Sequence, residues 1–282
     1  MNKLKTLGNV IETDILVLGG GPSGLWSAIK AKEHVEQVLV VDKGPRDWGG
    51  MASAASGGYV AVMRDENVDN FLSDVVYFYD GLCDQNLYRK ILEQSVERLE
   101  DYQELGVDFF TNPDGSLRGL LEHGLDYLTL YTAKPFPHGG KMMATALVKE
   151  AKRLGISRLG RIQVTDLLKD GDKISGAVAF DTLSGEFYII KANTVILATG
   201  NADWKTGFFG HTATGEGIAM AIRAGAEGSN MEYGGTLITP KEFAWEGLSN
   251  LVPLGGRFIN SKGESFMEKY SPFGSNTDDT YI

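Results

Sequence analysis

The 282-residue chain has a single cysteine, Cys83, so neither an internal disulfide nor a cysteine-ligated cluster can form within it. Positive charge is scarce as well. Twenty-seven lysines and arginines face 37 aspartates and glutamates, leaving a formal net charge of −10. Nucleic-acid ligands reward a basic face, so no nucleic-acid partner is expected. There is no run of 18 apolar residues, and the opening stretch MNKLKTLGNVIETD lacks an apolar core. The expectation is a cytoplasmic protein with no cleaved signal and no direct membrane insertion. Repeats, low-complexity tracts and obvious flexible linkers are missing too, and no metal site is expected.

Glycine is what the chain has in excess. Its 36 glycines are nearly twice the usual share, which points to tight turns or to backbone lying close against a ligand. Hydrophobic residues make up 43%, a globular composition with enough length for a proper core.

The glycines concentrate their meaning in TDILVLGGGPSGLWSA, residues 13–28, where Gly19, Gly21 and Gly24 satisfy G-x-G-x-x-G. That pattern alone is a weak signal in so glycine-rich a chain. Its context strengthens it. Asp14 to Leu18 reads as a short buried strand, and Pro22 stands where a helix begins, running to about Lys32. Val38 to Val41 then form a second strand ending at Asp42, 18 positions past Gly24. Such a β-α-β unit brings backbone N–H groups and the positive helix end to a pyrophosphate, and places a carboxylate on a ribose. A tight turn with nothing bound is the plain alternative.

Residues 66–105 read as helical, with Phe71, Val75 and Phe78, then Leu92, Val96 and Leu99 on core faces. Another amphipathic helix spans 139–155, with Gly155 as its C-cap. RIQVTDLL, DKISGAVAFD and EFYIIKA read as strands, TLSG being a hairpin turn. A fresh buried strand is expected from Thr194 to Ala198, ending in Thr199-Gly200, and a helix over 215–226.

This layout resembles flavoproteins with a two-dinucleotide-binding-domain fold. Finer motifs resemble the fumarate reductase and succinate dehydrogenase flavoprotein family, which includes L-aspartate oxidase and the adenylylsulfate reductase α subunit. They are VDKGPRDWGGMASAASGG (41–58), HTATGEGIAMAIRAGAEGSNMEY (211–233) and GGRFINSKGESFMEKY (255–270). The resemblance implies an α/β fold: a Rossmann-like FAD-binding domain over 1–233, with a parallel sheet, helices and a β-meander, then the start of an α+β capping domain over 234–282. It implies FAD as cofactor, a small-molecule substrate and, as partner, either an iron–sulfur or a complementary flavoprotein subunit. The chain is expected to lack the segment that returns from the cap to the flavin, and so to be incomplete as a catalyst.

By the same resemblance Gly19, Gly21, Pro22, Ser23 and Gly24 cradle the pyrophosphate, with Asp42 on the adenosine ribose and Lys43 beside it. Gly50, Ser53, Ser56, Gly57 and Gly58 run along the pyrophosphate, ribityl chain and isoalloxazine. Val164 meets the adenine through its backbone, and Thr199, Gly200 and Glu216 close the site. Loop solvation would equally explain Ser53 and Ser56, and the helix dipole alone would explain Glu216. Met51 stands where covalent flavoproteins carry a histidine, so the FAD is expected to be non-covalent.

The catalytic positions depart from the family. Gly235 and Leu237 stand where Gln and His of a Gln-x-His-Pro-Thr run would be, although Thr239 keeps the threonine. SNLVPLGG replaces Glu-x-x-Arg-Gly-Glu, and Thr277-Asp278-Asp279 aligns loosely with Ser-Arg-Asp. A dicarboxylate needs cationic or strongly hydrogen-bonding partners. The expected substrate is therefore neither fumarate nor succinate. An adenylylsulfate-reductase-like electron relay, working with a separate iron–sulfur partner, is the alternative. His123, His138, His211 and Arg257 are the weak catalytic candidates; surface positions for the first two, a structural hydrogen bond for His211 and a loop-fixing ion pair for Arg257 explain them as simply.

Overall fold

A computed structural model describes residues 8–122, 125–202, 213–231 and 256–270. Its centre is a six-stranded sheet of order β6-β2-β1-β9-β8-β7. β1 (Asn9–Leu18), β2 (Val38–Val41), β6 (Ser157–Leu159) and β9 (Phe187–Leu197) run parallel. β7 (Ile162–Asp170) and β8 (Lys173–Asp181) are antiparallel neighbours that make, with β9, a three-stranded meander. All four residues of β2 are buried, as a strand covered on both faces requires.

α1 (Pro22–Lys32) and α5 (Gly139–Arg153) cover one face of the sheet. Their apolar stripes, among them Leu25, Ala28, Leu147 and Ala151, interlock with Val17, Val38 and Val40. Leu147 is fully buried, and truncating such a side chain to alanine costs about 2–5 kcal/mol. The other face packs Leu16, Leu39 and Ile190 with Met220 of α6 (Glu216–Ala224).

Several expectations change. β1 begins at Asn9 rather than Asp14, because it stays paired with β9 along its whole length. EFYIIKA and the expected fresh strand at Thr194 are one strand, β9, which pairs with β8 in its first half and with β1 throughout. The end of that strand is not buried: Leu197 is 40% exposed, since it lines an open cleft. The helical stretch 66–105 is three helices, α2 (Val68–Phe78), α3 (Gln85–Glu93) and α4 (Ser95–Glu104). Left-handed backbone at Asp80 and Gly81 breaks the first from the second. Asn67 caps α2 by accepting from the Asp69 N–H, and Asp84 caps α3 by accepting from Asn86 and Leu87.

Phe71, Val75, Leu92 and Leu99 are core residues as expected, but Phe78 is 51% exposed on the last turn of α2. α5 ends at Arg153, and Gly155 follows in the left-handed conformation. A small antiparallel sheet, β3-β5-β4, is formed by Gly58–Val60, Thr129–Thr132 and Gly119–Leu121. A final short helix, α7, covers Met267–Tyr270. No helix among the described residues is long and apolar enough to cross a membrane.

Candidate functional site

The carboxyl ends of β1, β2 and β9 open onto a cleft of ≈ 580 Å³, flanked by α6 and the start of β7. Ligands of open α/β sheets bind at this edge, and the size suits a dinucleotide end. α1 begins at its floor. Gly21 is the N-cap and contributes no side chain, Pro22 occupies the first turn, and no acidic residue lies in that turn. The first-turn N–H groups and the positive helix end are thus left for an anion. Gly24 sits one turn behind the rim, where a Cβ would come within 1.9 Å of the Gly19 carbonyl oxygen. Its missing side chain lets α1 rest directly on the turn that precedes it.

Asp42 ends β2 with its carboxylate already oriented. Oδ2 accepts from the Gly20 N–H at 2.5 Å and Oδ1 from the Gly44 N–H at 2.6 Å. Both bonds are charge-assisted and fix the group at the cleft wall. Next to it, Lys43 reaches across to α6, donating to Glu216 Oε2 at 3.0 Å and to Thr214 Oγ1. Partial burial opposes ionisation of Glu216, but the Thr214 hydroxyl, its own backbone N–H and the Lys43 ammonium together hold its carboxyl below the usual range. The pair ties the β2 side of the cleft to the α6 side.

Eleven expected residues therefore meet around one space: Gly19, Gly21, Pro22, Ser23, Asp42, Lys43, Gly50, Val164, Thr199, Gly200 and Glu216. The Val164 carbonyl accepts from the Gln163 side chain at 2.9 Å, and a register shift in β7 follows it. Gly24, Ser53, Ser56, Gly57 and Gly58 lie outside the lining. The Ser53 hydroxyl donates to the Gly50 carbonyl at 2.7 Å, which steadies the 3-10 turn Met51–Ala54. Gly57 packs on the start of α5, and Gly58 opens β3.

Of the catalytic candidates, His123 and His211 lie outside the described residues, as do Gly235, Leu237, Thr239 and Thr277 to Asp279. His138 is exposed at the N-cap of α5 without capping it, and Arg257 is exposed; neither lines the cleft. The motifs do not single out Trp48, Gln163, Gly217 or Met220, all of which line it. Gly217 carried a signal. It stands in the T-G-E-G run, and a Cβ there would come within 1.7 Å of Thr199 Oγ1, so α6 can approach the end of β9 only at glycine.

A nucleotide-binding edge of this kind has many owners. The family model of the FAD binding domain matches residues 14–280. The chain belongs to that family. FAD is accordingly its cofactor, and the residues present fit: an uncapped helix start, an oriented carboxylate and a glycine-walled cleft. Among curated relatives of this FAD binding domain, a fumarate reductase (CoM/CoB) subunit of Methanothermobacter marburgensis is 29% identical over 278 residues, covering 93% of this chain and 50% of that protein. L-aspartate oxidase 2 of Ralstonia nicotianae is 29% identical over 272 residues, covering 93% and 49%. The chain spans about half the length of these relatives. A structure of E. coli quinol fumarate reductase superposes with a TM-score of 0.82 at 24% identity, covering 94% of this chain and 47% of that one, a likeness of fold. An adenosine-5-phosphosulfate reductase structure superposes at 0.67 with 25% identity, covering 80% and 38%.

Proposed function

We propose that the whole protein is an FAD-dependent oxidoreductase acting on a small substrate other than fumarate or succinate, and that this chain provides the cleft for the cofactor. The observation that carries the reading is the convergence of the α1 N-terminus, Asp42 and the end of β9 on one open space. Bound flavin supplies the hydride or electron transfer; the chain binds it, orients it and shields it from water. The α1 N–H groups take the pyrophosphate, Asp42 accepts from the adenosine ribose, and the backbone at Val164 lies along the adenine. Ser53, Ser56, Gly57 and Gly58 serve the flavin end. The FAD-binding domain extends over 1–233, and 234–282 begins a cap.

The substrate part of the proposal is supported by the sequence at Gly235, Leu237 and Thr277 to Asp279, where cationic or strongly hydrogen-bonding dicarboxylate partners are replaced. A second reading is an electron-relay protein that works with a separate iron–sulfur protein. Its support is the likeness to adenosine-5-phosphosulfate reductase and the lone Cys83, which cannot hold a cluster by itself.

One experiment separates them. The purified protein is reconstituted with FAD, reduced with dithionite, and exposed anaerobically to a panel of oxidised small molecules that includes fumarate and iminoaspartate. Reoxidation by a member other than fumarate supports the enzyme. Rapid reoxidation by fumarate refutes the substrate assignment, and reoxidation only by a ferredoxin-type iron–sulfur protein favours the relay.

A further inference from the structure

Asp42 also borders a second, much smaller cavity of ≈ 10 Å³, whose polar wall is Gly20, Asp42, Arg46, Asp47 and Arg158 and whose apolar wall is Leu25, Val40, Val148 and Leu159. Asp42 therefore stands as a wall between the two spaces. Arg158, in β6, is nearly buried, with only 12% of its side chain exposed. Its Nε donates to Asp47 Oδ1 at 2.9 Å, whereas its Nη1 is buried with no hydrogen-bond partner among the described residues. A buried guanidinium N–H left in that state is costly, so an acceptor is owed to it.

Two features say where the acceptor lies. A space of this size takes one water molecule, provided that polar groups surround it. Asp42 borders it, and each of its oxygens has used only one lone pair, on the Gly20 and Gly44 N–H groups. Asp47 in turn is placed deliberately. It is one of four non-glycine residues at positive φ among the described residues, at 72°. Its other oxygen, Oδ2, accepts from Lys152 of α5 at 2.9 Å. Burial opposes ionisation of Asp47, but Lys152 and Arg158 hold its carboxyl below the usual range.

We propose that Arg158 and Asp47 are positioning residues for Asp42: Arg158 Nη1 reaches the Asp42 carboxylate through one water, and Asp47, anchored by Lys152, fixes the guanidinium. The pair adds a third contact, through water, to the two backbone N–H groups that already orient Asp42, and so helps hold it toward the ribose hydroxyl. Neither residue touches the cofactor. The inference rests on the reading that Asp42 meets the adenosine ribose, so its test must tell the two failures apart.

The probes are FAD, ADP and 2′-deoxy-ADP, titrated calorimetrically into the purified chain and into D47N, R158M, R158K and the D47N/R158M double variant. Asparagine accepts the left-handed backbone at position 47, so D47N removes charge without adding strain. Wild type is expected to prefer ADP over 2′-deoxy-ADP about tenfold, the worth of one hydrogen bond to a charged group. In D47N and R158M that preference should fall to about twofold or less, with a matching loss of FAD affinity. The double variant should lose no more than the worse single, and R158K should recover most of the preference. An unchanged preference in D47N and R158M, whatever happens to their melting temperatures, would reduce the pair to a scaffold salt bridge and overturn the proposal. A wild type that binds ADP and 2′-deoxy-ADP equally would refute the ribose role of Asp42 itself, and is recognised because no variant is needed to see it.

Discussion

At the scale of single residues, the cleft depends on two kinds of position that respond differently to substitution. Gly217 is a steric position. Replacing it with alanine forces α6 away from Thr199, and overpacking of this kind costs about 1–3 kcal/mol. G217A should melt earlier and bind FAD at least tenfold more weakly, as read by flavin fluorescence quenching; wild-type affinity in G217A would remove Gly217 from the cleft. Glu216 is an electrostatic position. Its carboxyl is held below the usual range in the folded state, so its stabilising share is present above the unfolded pKa and disappears as pH falls through the folded one. The pair with Lys43 is partly exposed, at 28% and 37%, so that share is under about 1 kcal/mol. E216Q should be slightly less stable than wild type at pH 7, and urea denaturation curves of the two should draw together as pH falls below the usual glutamate range. A gap that stays constant from neutral pH down through the acid range would mean that the effect is not ionic.

At the scale of elements, two aspartates in the helical region make contrasting predictions. Asp84 caps an exposed helix start, and D84A should cost about 1 kcal/mol. Asp74 is buried in α2 and accepts from three successive backbone N–H groups, those of Asp126, Tyr127 and Leu128. Those donors lead into β5, so D74A strands them and should cost about 3 kcal/mol. Hydrogen exchange in D74A should accelerate at residues 126–132 before it does in the central sheet; uniform acceleration would show that Asp74 serves the whole core instead. The same contrast explains what could be read in advance. The Gly19 to Asp42 unit was legible because strand, turn, helix, strand and acid follow one another in sequence, each with its own local signal. β3, β4 and β5 were not, being three or four residues long and paired across distances such as Gly58 to Thr132. Arg158 was equally hidden, since its part depends on a loop more than a hundred positions away. The breaks within 66–105 were written in Asn67, Gly81 and Asp84, but the period of the apolar residues ran through them.

At the scale of the whole molecule, the cofactor should act as part of the fold. A ligand that binds only the native state stabilises it by about 2.7 kcal/mol at a hundred times its dissociation constant. FAD at that excess should raise the melting temperature by about 5–10 °C. Met51, which lines the cleft, offers no imidazole for a covalent bond. Acid precipitation of the reconstituted protein should leave the yellow colour in the supernatant, and flavin fluorescence on the denatured band would refute non-covalent attachment.

The continuity of β9 has a consequence for how this chain can vary. From Tyr188 to Leu197 the strand is committed to β1 along one edge, from Phe187 to Lys191 to β8 along the other, and its last residue reaches the cleft. A strand alternates faces at every step, so one residue added near Ile190 would turn every later side chain to the wrong layer. The Leu183–Gly185 part of the turn, a few positions upstream, has no such obligation: its N–H groups close on Asp181, and it is Thr182 before it that reaches further, to the Arg161 carbonyl. A library of single-codon duplications should therefore tolerate length changes at 183–185 and reject them throughout 187–197, making β9 the ruler against which related chains must keep their count.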